Sequence, residues 1–147
     1  MKVTMLLADA AQAIGGKLYI LGGGWSITGP KPTASAIALK IEVPWDEANR
    51  PHALLLELLN ADGRPVMVPV PPDGEPRPVQ IRGEVEVGRP PGLTPGTALD
   101  AVLAINLGSA PAQPAGRYVW RLSINGSSHD DWQVAYTVRA ASAGRAV

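Results

Sequence analysis

Gly116-Arg117-Tyr118-Val119-Trp120-Arg121-Leu122-Ser123-Ile124-Asn125-Gly126-Ser127-Ser128-His129-Asp130-Asp131-Trp132-Gln133-Val134-Ala135-Tyr136-Thr137-Val138-Arg139 is the stretch whose reading decides the fold class. Tyr118, Trp120, Leu122 and Ile124 alternate with Val119, Arg121, Ser123 and Asn125. Trp132, Val134, Tyr136 and Val138 then alternate with Gln133, Ala135, Thr137 and Arg139. A strict period of two in aromatic and β-branched residues marks strands with one buried and one wet face. The chain has 4 Trp, 3 Tyr and no Phe, so the rings of this hairpin are most of its aromatic material. Their concentration on one face predicts that the hairpin covers the centre of the core.

The pattern repeats upstream. Ile37, Leu39, Ile41 and Val43 form one dry face. Val79, Ile81, Val85 and Val87 point inward while Gln80, Arg82, Glu84 and Glu86 point outward. Leu99, Ala101, Leu103, Ile105 and Leu107 make a third such face. Proline (15) and glycine (16) punctuate the chain at intervals that suit short strands joined by turns. About nine strands are expected, near residues 3–11, 17–27, 35–43, 53–60, 64–70, 78–88, 98–107, 117–125 and 131–139. Residues 44–50 hold at most one helical turn, ended by Pro51. The expectation is an all-β chain: an antiparallel two-sheet β-sandwich, immunoglobulin-like, over residues 1–139, with 140–147 as a mobile tail.

Parity sharpens two hairpins, because facing residues in an antiparallel pair share a side. A three-residue loop, Ala61-Asp62-Gly63, with Gly63 left-handed, pairs Leu58 with Val66, Leu56 with Val68 and Leu54 with Val70. In the closing hairpin, a two-residue Asn125-Gly126 turn sets Trp120 opposite Asp131. A loop of residues 125–131 instead pairs Ile124 with Trp132, Leu122 with Val134, Trp120 with Tyr136 and Tyr118 with Val138. Apolar pairing is expected to override the local turn signal.

Composition narrows the partners. With 13 basic and 13 acidic residues the formal net charge is +0, and no basic cluster exists to bind phosphates, so nucleic acid is not expected. There is no Cys, which excludes disulfides and sulfur-ligated zinc. The apolar run Met5 to Ala8 stops at Asp9, short of a secretion signal's core, and reads as the first strand. No segment approaches the ~20 apolar residues of a membrane span. A cytoplasmic protein with no membrane partner and no cofactor is expected.

Few residues point to chemistry. Gly22, Gly23 and Gly24 read as a sharp bend, or alternatively as a ligand loop, although no helix follows to complete a phosphate cradle. Ser128-His129-Asp130 contains triad residue types that cannot aim at one another from adjacent positions. His129, Asp130 and Asp131 are the candidate metal ligands, with Asp62 or Asp73 from other loops. His52 reads as a surface or strand-edge residue, and Glu84 and Glu86 as a charged surface. Trp25 and Trp45 fall outside the regular alternation; they either plug the ends of the fold or stack a ligand or partner.

Leu6-Leu7-Ala8-Asp9-Ala10-Ala11-Gln12, the Gly16–Trp25 run, Lys40-Ile41-Glu42-Val43-Pro44-Trp45, Leu59-Asn60-Ala61-Asp62-Gly63-Arg64 and the closing hairpin together resemble a family of short, uncharacterised bacterial proteins. That family is frequent in actinobacteria and is classed as a domain of unknown function. The resemblance spans nearly the whole chain and implies a stand-alone β-sandwich with no assigned catalytic residues. The first functional expectation is a non-catalytic protein-binding or assembly module, self-associating through a sheet face such as that of Val102 and Ala104. The alternative is a binder of a small sugar-like or lipid-like ligand through Trp25, Trp45 and the glycine bend. A metal-dependent hydrolase at His129 and the aspartates comes third.

Overall fold

Ile37, Leu39, Ile41 and Val43 occupy alternate positions of one long strand, β5 (Ala34–Val43), and each is fully buried. The computed structural model describes residues 1–31, 33–109 and 113–141 and is built almost wholly of strands around this one. In chain order the others are β1 (Lys2–Ala8), β2 (Ala10–Ile14), β3 (Lys17–Leu21), β4 (Ile27–Thr28), β6 (His52–Leu59), β7 (Met67–Val70), β8 (Glu75–Pro78), β9 (Gln80–Val85), β10 (Leu99–Ser109), β11 (Gly116–Ile124) and β12 (Ser127–Val138). The expected helical turn is a 3-10 turn, Trp45–Glu47, after Pro44.

The chain is all-β, but in place of the expected nine strands the described residues form twelve, in four sheets. A three-stranded sheet has the order β1-β5-β10 and a five-stranded sheet the order β4-β12-β11-β6-β9. Two small ribbons, β2-β3 and β7-β8, complete the set. Pairing is antiparallel except between β4 and β12. Both larger sheets supply one apolar cluster: Leu7, Ile37, Leu39, Ile41 and Val43 from the first, Leu54, Leu56, Leu58, Tyr118, Trp120, Leu122, Tyr136 and Val138 from the second. The closing hairpin thus does supply the aromatic part of the core.

The extra strands have local causes. The expected strand 3–11 breaks at Asp9, where the chain leaves β1 and folds into the β2-β3 ribbon over the outer face of β5 and β10. That face is small: Ala8, Ala11, Ala36 and Ala38 are buried together, with Leu18 and Ala104 packed against them. Alanines let backbone approach backbone, so β5 is buried on both sides from Ala36 to Leu39. The face of Ala104, expected to self-associate, is therefore covered in part by the chain's own ribbon. Asn106 ties the ribbon down, donating from Nδ2 to the Ala11 carbonyl (2.9 Å) and accepting from its N–H (3.3 Å).

The first hairpin follows parity only as far as its turn. Gly63 is left-handed (φ 75), Gly63 N–H donates to Asn60, and Val66 N–H donates to the Leu58 carbonyl (2.9 Å), as the three-residue loop requires. Beyond Val66 the pairs Leu56–Val68 and Leu54–Val70 do not form. The chain leaves the sheet as the β7-β8 ribbon, and β9 returns beside β6, with Leu56 opposite Ile81. Prolines at 69, 76 and 78 lack the N–H groups that an inner strand must donate, which suits a short peripheral ribbon.

In the closing hairpin the local signal wins, against expectation. Asn125 (φ 52) and Gly126 (φ 82) make the two-residue turn, with Ile124 opposite Ser127. Parity is restored further down by a bulge in which His129 to Trp132 lie opposite Leu122. The register beyond it sets Trp120 opposite Val134 and Tyr118 opposite Tyr136 rather than Trp120 opposite Tyr136. The parity argument assumed an unbroken ladder, and a bulge removes that premise. Ser128 Oγ donates to the Leu122 carbonyl (2.6 Å) at the break.

Candidate functional site

Trp25 and Trp45 are not parts of one site. Thr33 and Ser35, at the start of β5, line the space beside Trp25, whereas Trp45 follows the strand's far end. A ten-residue strand spans roughly 30 Å at ~3.3 Å per residue, so the two indoles lie at opposite ends of the core.

Trp45 is half-buried and already has a partner. The Arg89 guanidinium lies 4.8 Å from the centre of its ring, and Arg89 also donates twice to the Trp45 carbonyl (3.1 and 2.6 Å). A shallow hollow beside it is bordered by Lys2, Glu42 and Asp46.

Trp25 occupies a richer environment. The bend at Gly22, Gly23 and Gly24 brings it there: Gly22 (φ 62) and Gly24 (φ 90) are left-handed, and Gly24 N–H donates to the Leu7 carbonyl (2.7 Å). A Cβ at Gly23 would stand 2.6 Å from the Ile20 side chain. These glycines serve as the bend read from the sequence, and none is among the residues that line the cavity beside them. The indole of Trp25 meets Tyr136 edge-on at 5.9 Å, and Tyr136 stacks on Tyr118 at 5.5 Å.

This aromatic group closes one side of a cavity of about 340 Å³. Leu7, Ser35 and Leu107 of the three-stranded sheet face it, as do Leu58, Trp120, Tyr136 and Val138 of the five-stranded sheet. The start of the β7-β8 ribbon, Val66 to Val68, and Thr28, Gly29, Pro30, Lys31 and Thr33 add to the wall. Its lining is mainly aliphatic and aromatic. The two tyrosine hydroxyls nearby are spent within the chain: Tyr136 donates to Gln113 Oε1 (2.7 Å) and Tyr118 to the Pro114 carbonyl (2.6 Å). Burial pushes the Tyr136 hydroxyl up to about 12, with Gln113 opposing and Tyr118 adding to the shift, and burial also raises Tyr118. Trp25 Nε1 is shielded from solvent and has no hydrogen-bond partner among the described residues. Such a donor costs about 1–3 kcal/mol while it stays unpaired.

The remaining candidates scatter. His129, Asp130 and Asp131 lie exposed on the β12 bulge, with the His129 ring against Trp132 at 4.7 Å. Asp73 instead caps the β7-β8 turn through the Glu75 N–H (3.0 Å) and meets Arg77 at 3.6 Å. Among the described residues no group of three His, Asp or Glu side chains is placed to hold a metal ion. Glu84 and Glu86 are exposed, as read from the alternation.

His52 departs from its reading as a surface residue: it is 2% exposed. Its Nε2 bonds the Glu47 carbonyl (2.9 Å) and its Nδ1 the Asn125 side-chain amide (2.9 Å). A carbonyl only accepts and an amide nitrogen only donates, so Nε2 carries the proton and Nδ1 accepts. Asn125 Oδ1 accepts from Ala53 N–H (2.9 Å), which fixes the amide's orientation. No local signal links residues so far apart in the chain.

The cavity was also illegible beforehand. Its wall draws on segments that meet only because the β7-β8 ribbon peels away and the glycine bend delivers Trp25. A Pro-rich run between two strand signals was the one available hint of the ribbon.

Among the described residues no helix is long and apolar enough to cross a membrane. No curated protein and no solved structure matches the chain. A family model does match, over residues 3–135, and by that match the chain belongs to the family of unknown function DUF6941.

Proposed function

We propose that this chain is a non-catalytic binding protein that holds a small apolar ligand in the cavity beside Trp25. The observation that carries the reading is the cavity itself. It is an apolar hollow open to solvent on one side, and about 340 Å³ falls in the range of small-molecule sites. Three rings, Trp25, Trp120 and Tyr136, offer flat apolar contact on its walls. In the same reading the two larger sheets are the layers of an immunoglobulin-like β-sandwich. The Tyr118 hydroxyl bond to Pro114, just before β11, supports it, because a tyrosine corner of that kind recurs in such domains.

The test is titration of the purified chain with Nile red, a neutral apolar dye, while dye and tryptophan emission are followed. Saturable uptake that is lost in Val68→Phe, a variant that fills the cavity from the half-buried ribbon, is the expected result. Circular dichroism and thermal unfolding of that variant show whether it remains folded. No saturable uptake by the wild type, or uptake undiminished in a folded Val68→Phe, overturns the proposal.

A second reading, the assembly module, is favoured by the outer face of the β2-β3 ribbon. Ile14, Tyr19 and Leu21 alternate there, and Leu21 is 70% exposed. Tyr19→Lys with Leu21→Lys is expected to convert any concentration-dependent oligomer to monomer in light scattering. A wild-type chain that is monomeric at every concentration removes this second reading.

A further inference from the structure

We infer that the cavity selects an anionic amphiphile, an apolar body bearing one carboxylate that sits at the rim by Lys31. This rests on the ligand-binding reading above and adds the sign of the ligand's charge. Three observations carry it.

The first is the balance of charge in the wall. Lys31 is exposed and lines the cavity, and no Asp or Glu is among the lining residues. Among the described residues Lys31 takes part in none of the ion pairs, which join Lys2 to Glu42, Lys40 to Asp100, Arg50 to Glu47 and Arg77 to Asp73. A cationic headgroup would meet a like charge there and an anionic one an opposite charge.

The second is the remaining wall, which is mainly apolar, with Leu58, Val68, Ile81, Trp120 and Val138 among its residues. It takes an apolar body and leaves the charged end at the rim, where burial does not strip its water.

The third is size. At about 340 Å³ the hollow is large enough to take a medium-chain or single-ring carboxylic acid.

The experiment is calorimetric titration of the full chain with octanoate, octanol and octylammonium, in wild type and in Lys31→Glu, each at low and high salt. Octanoate is expected to bind about twofold to fivefold more tightly than octanol, with octylammonium weakest. Lys31→Glu, at an exposed position that leaves the fold alone, is expected to weaken octanoate severalfold and leave octanol unchanged. Salt is expected to weaken octanoate alone. If octanol matches octanoate, or if Lys31→Glu leaves octanoate affinity where it was, the anionic assignment falls while the cavity reading stands. If none of the three binds and Nile red is excluded as well, both fall together.

Discussion

Replacing Asn125 by Gly probes why the two-residue turn prevails over the apolar register. The residue continues the β11-β6 ladder beyond Ile124 opposite Leu54: its N–H donates to the Ala53 carbonyl (2.8 Å), and its Oδ1 takes the place of a backbone acceptor for Ala53 N–H (2.9 Å). Its Nδ2 is the partner of His52 Nδ1 (2.9 Å). Glycine accepts the left-handed conformation without strain, so Asn125→Gly removes the side-chain bonds and little else. Ala53 is exposed and water replaces its lost acceptor at small cost. His52 is 2% exposed, and its Nδ1 is left buried without a partner, which costs about 1–3 kcal/mol. Asn125→Ala is expected to lose about 1 kcal/mol more, because a Cβ is strained at φ 52. Urea unfolding followed by tryptophan emission measures both, read as a shift in midpoint at constant slope. A double-mutant cycle with His52→Ala is expected to show a coupling of about 0.5–3 kcal/mol. The reasoning is refuted if Asn125→Gly unfolds within about 0.3 kcal/mol of the wild type, or if the cycle is additive to that margin.

Other consequences are equally measurable. Tyr136 is pushed up to about 12 by burial, so the folded chain keeps a proton that the unfolded chain sheds from about pH 10. The stability it contributes is whole below pH about 10 and drains away toward about 12, by at most about 2–3 kcal/mol. Tyr136→Phe should flatten that alkaline loss in urea midpoints at stepped pH, leaving the smaller share of Tyr118; an unchanged slope contradicts it. Ala38→Leu puts a large side chain under the β2-β3 ribbon, and overpacking there should cost about 1–3 kcal/mol and speed proteolysis between residues 9 and 24. Asn106→Ala should open the same ribbon to protease with less loss of global stability, since it removes only the two bonds to Ala11. Gly63→Ala, at φ 75 in an otherwise open turn, should cost about 1 kcal/mol; no measurable loss means that the loop reshapes freely.

The buried faces of β9, β11 and β12 were legible because each strand exposes one side to water and one to the core, and a period of two records that contrast directly; β5 and β10 carry the same alternation, although the ribbon covers part of their outer face. Leu39 or Trp120 needs no tertiary knowledge to be placed inside. Register was less legible. The loop at Gly63 follows from parity, yet the pairs beyond Val66 fail because β9 competes for the same edge of β6 and the proline-bearing segment yields it. In the closing hairpin, parity named the right residues as core and the wrong partners, since a bulge at His129–Trp132 absorbs the mismatch. The site was hardest. Trp25 stood out as an aromatic outside the alternation, but it was grouped with Trp45, which the length of β5 keeps at the other end.

Amphipathic alternation and the scarcity of charge, cysteine and helical period were enough to specify an all-β chain, its core faces and the tight turn at Gly63. Those properties are local: a side chain's preference for water or oil, and a backbone's tolerance of positive φ, are present in each short segment. The bulge, the covering ribbon, the buried His52 and the cavity beside Trp25 depend on which segments compete for the same edge or the same space. That competition is settled only when distant strands meet, and the hairpin from Gly116 to Arg139 takes its final register from it.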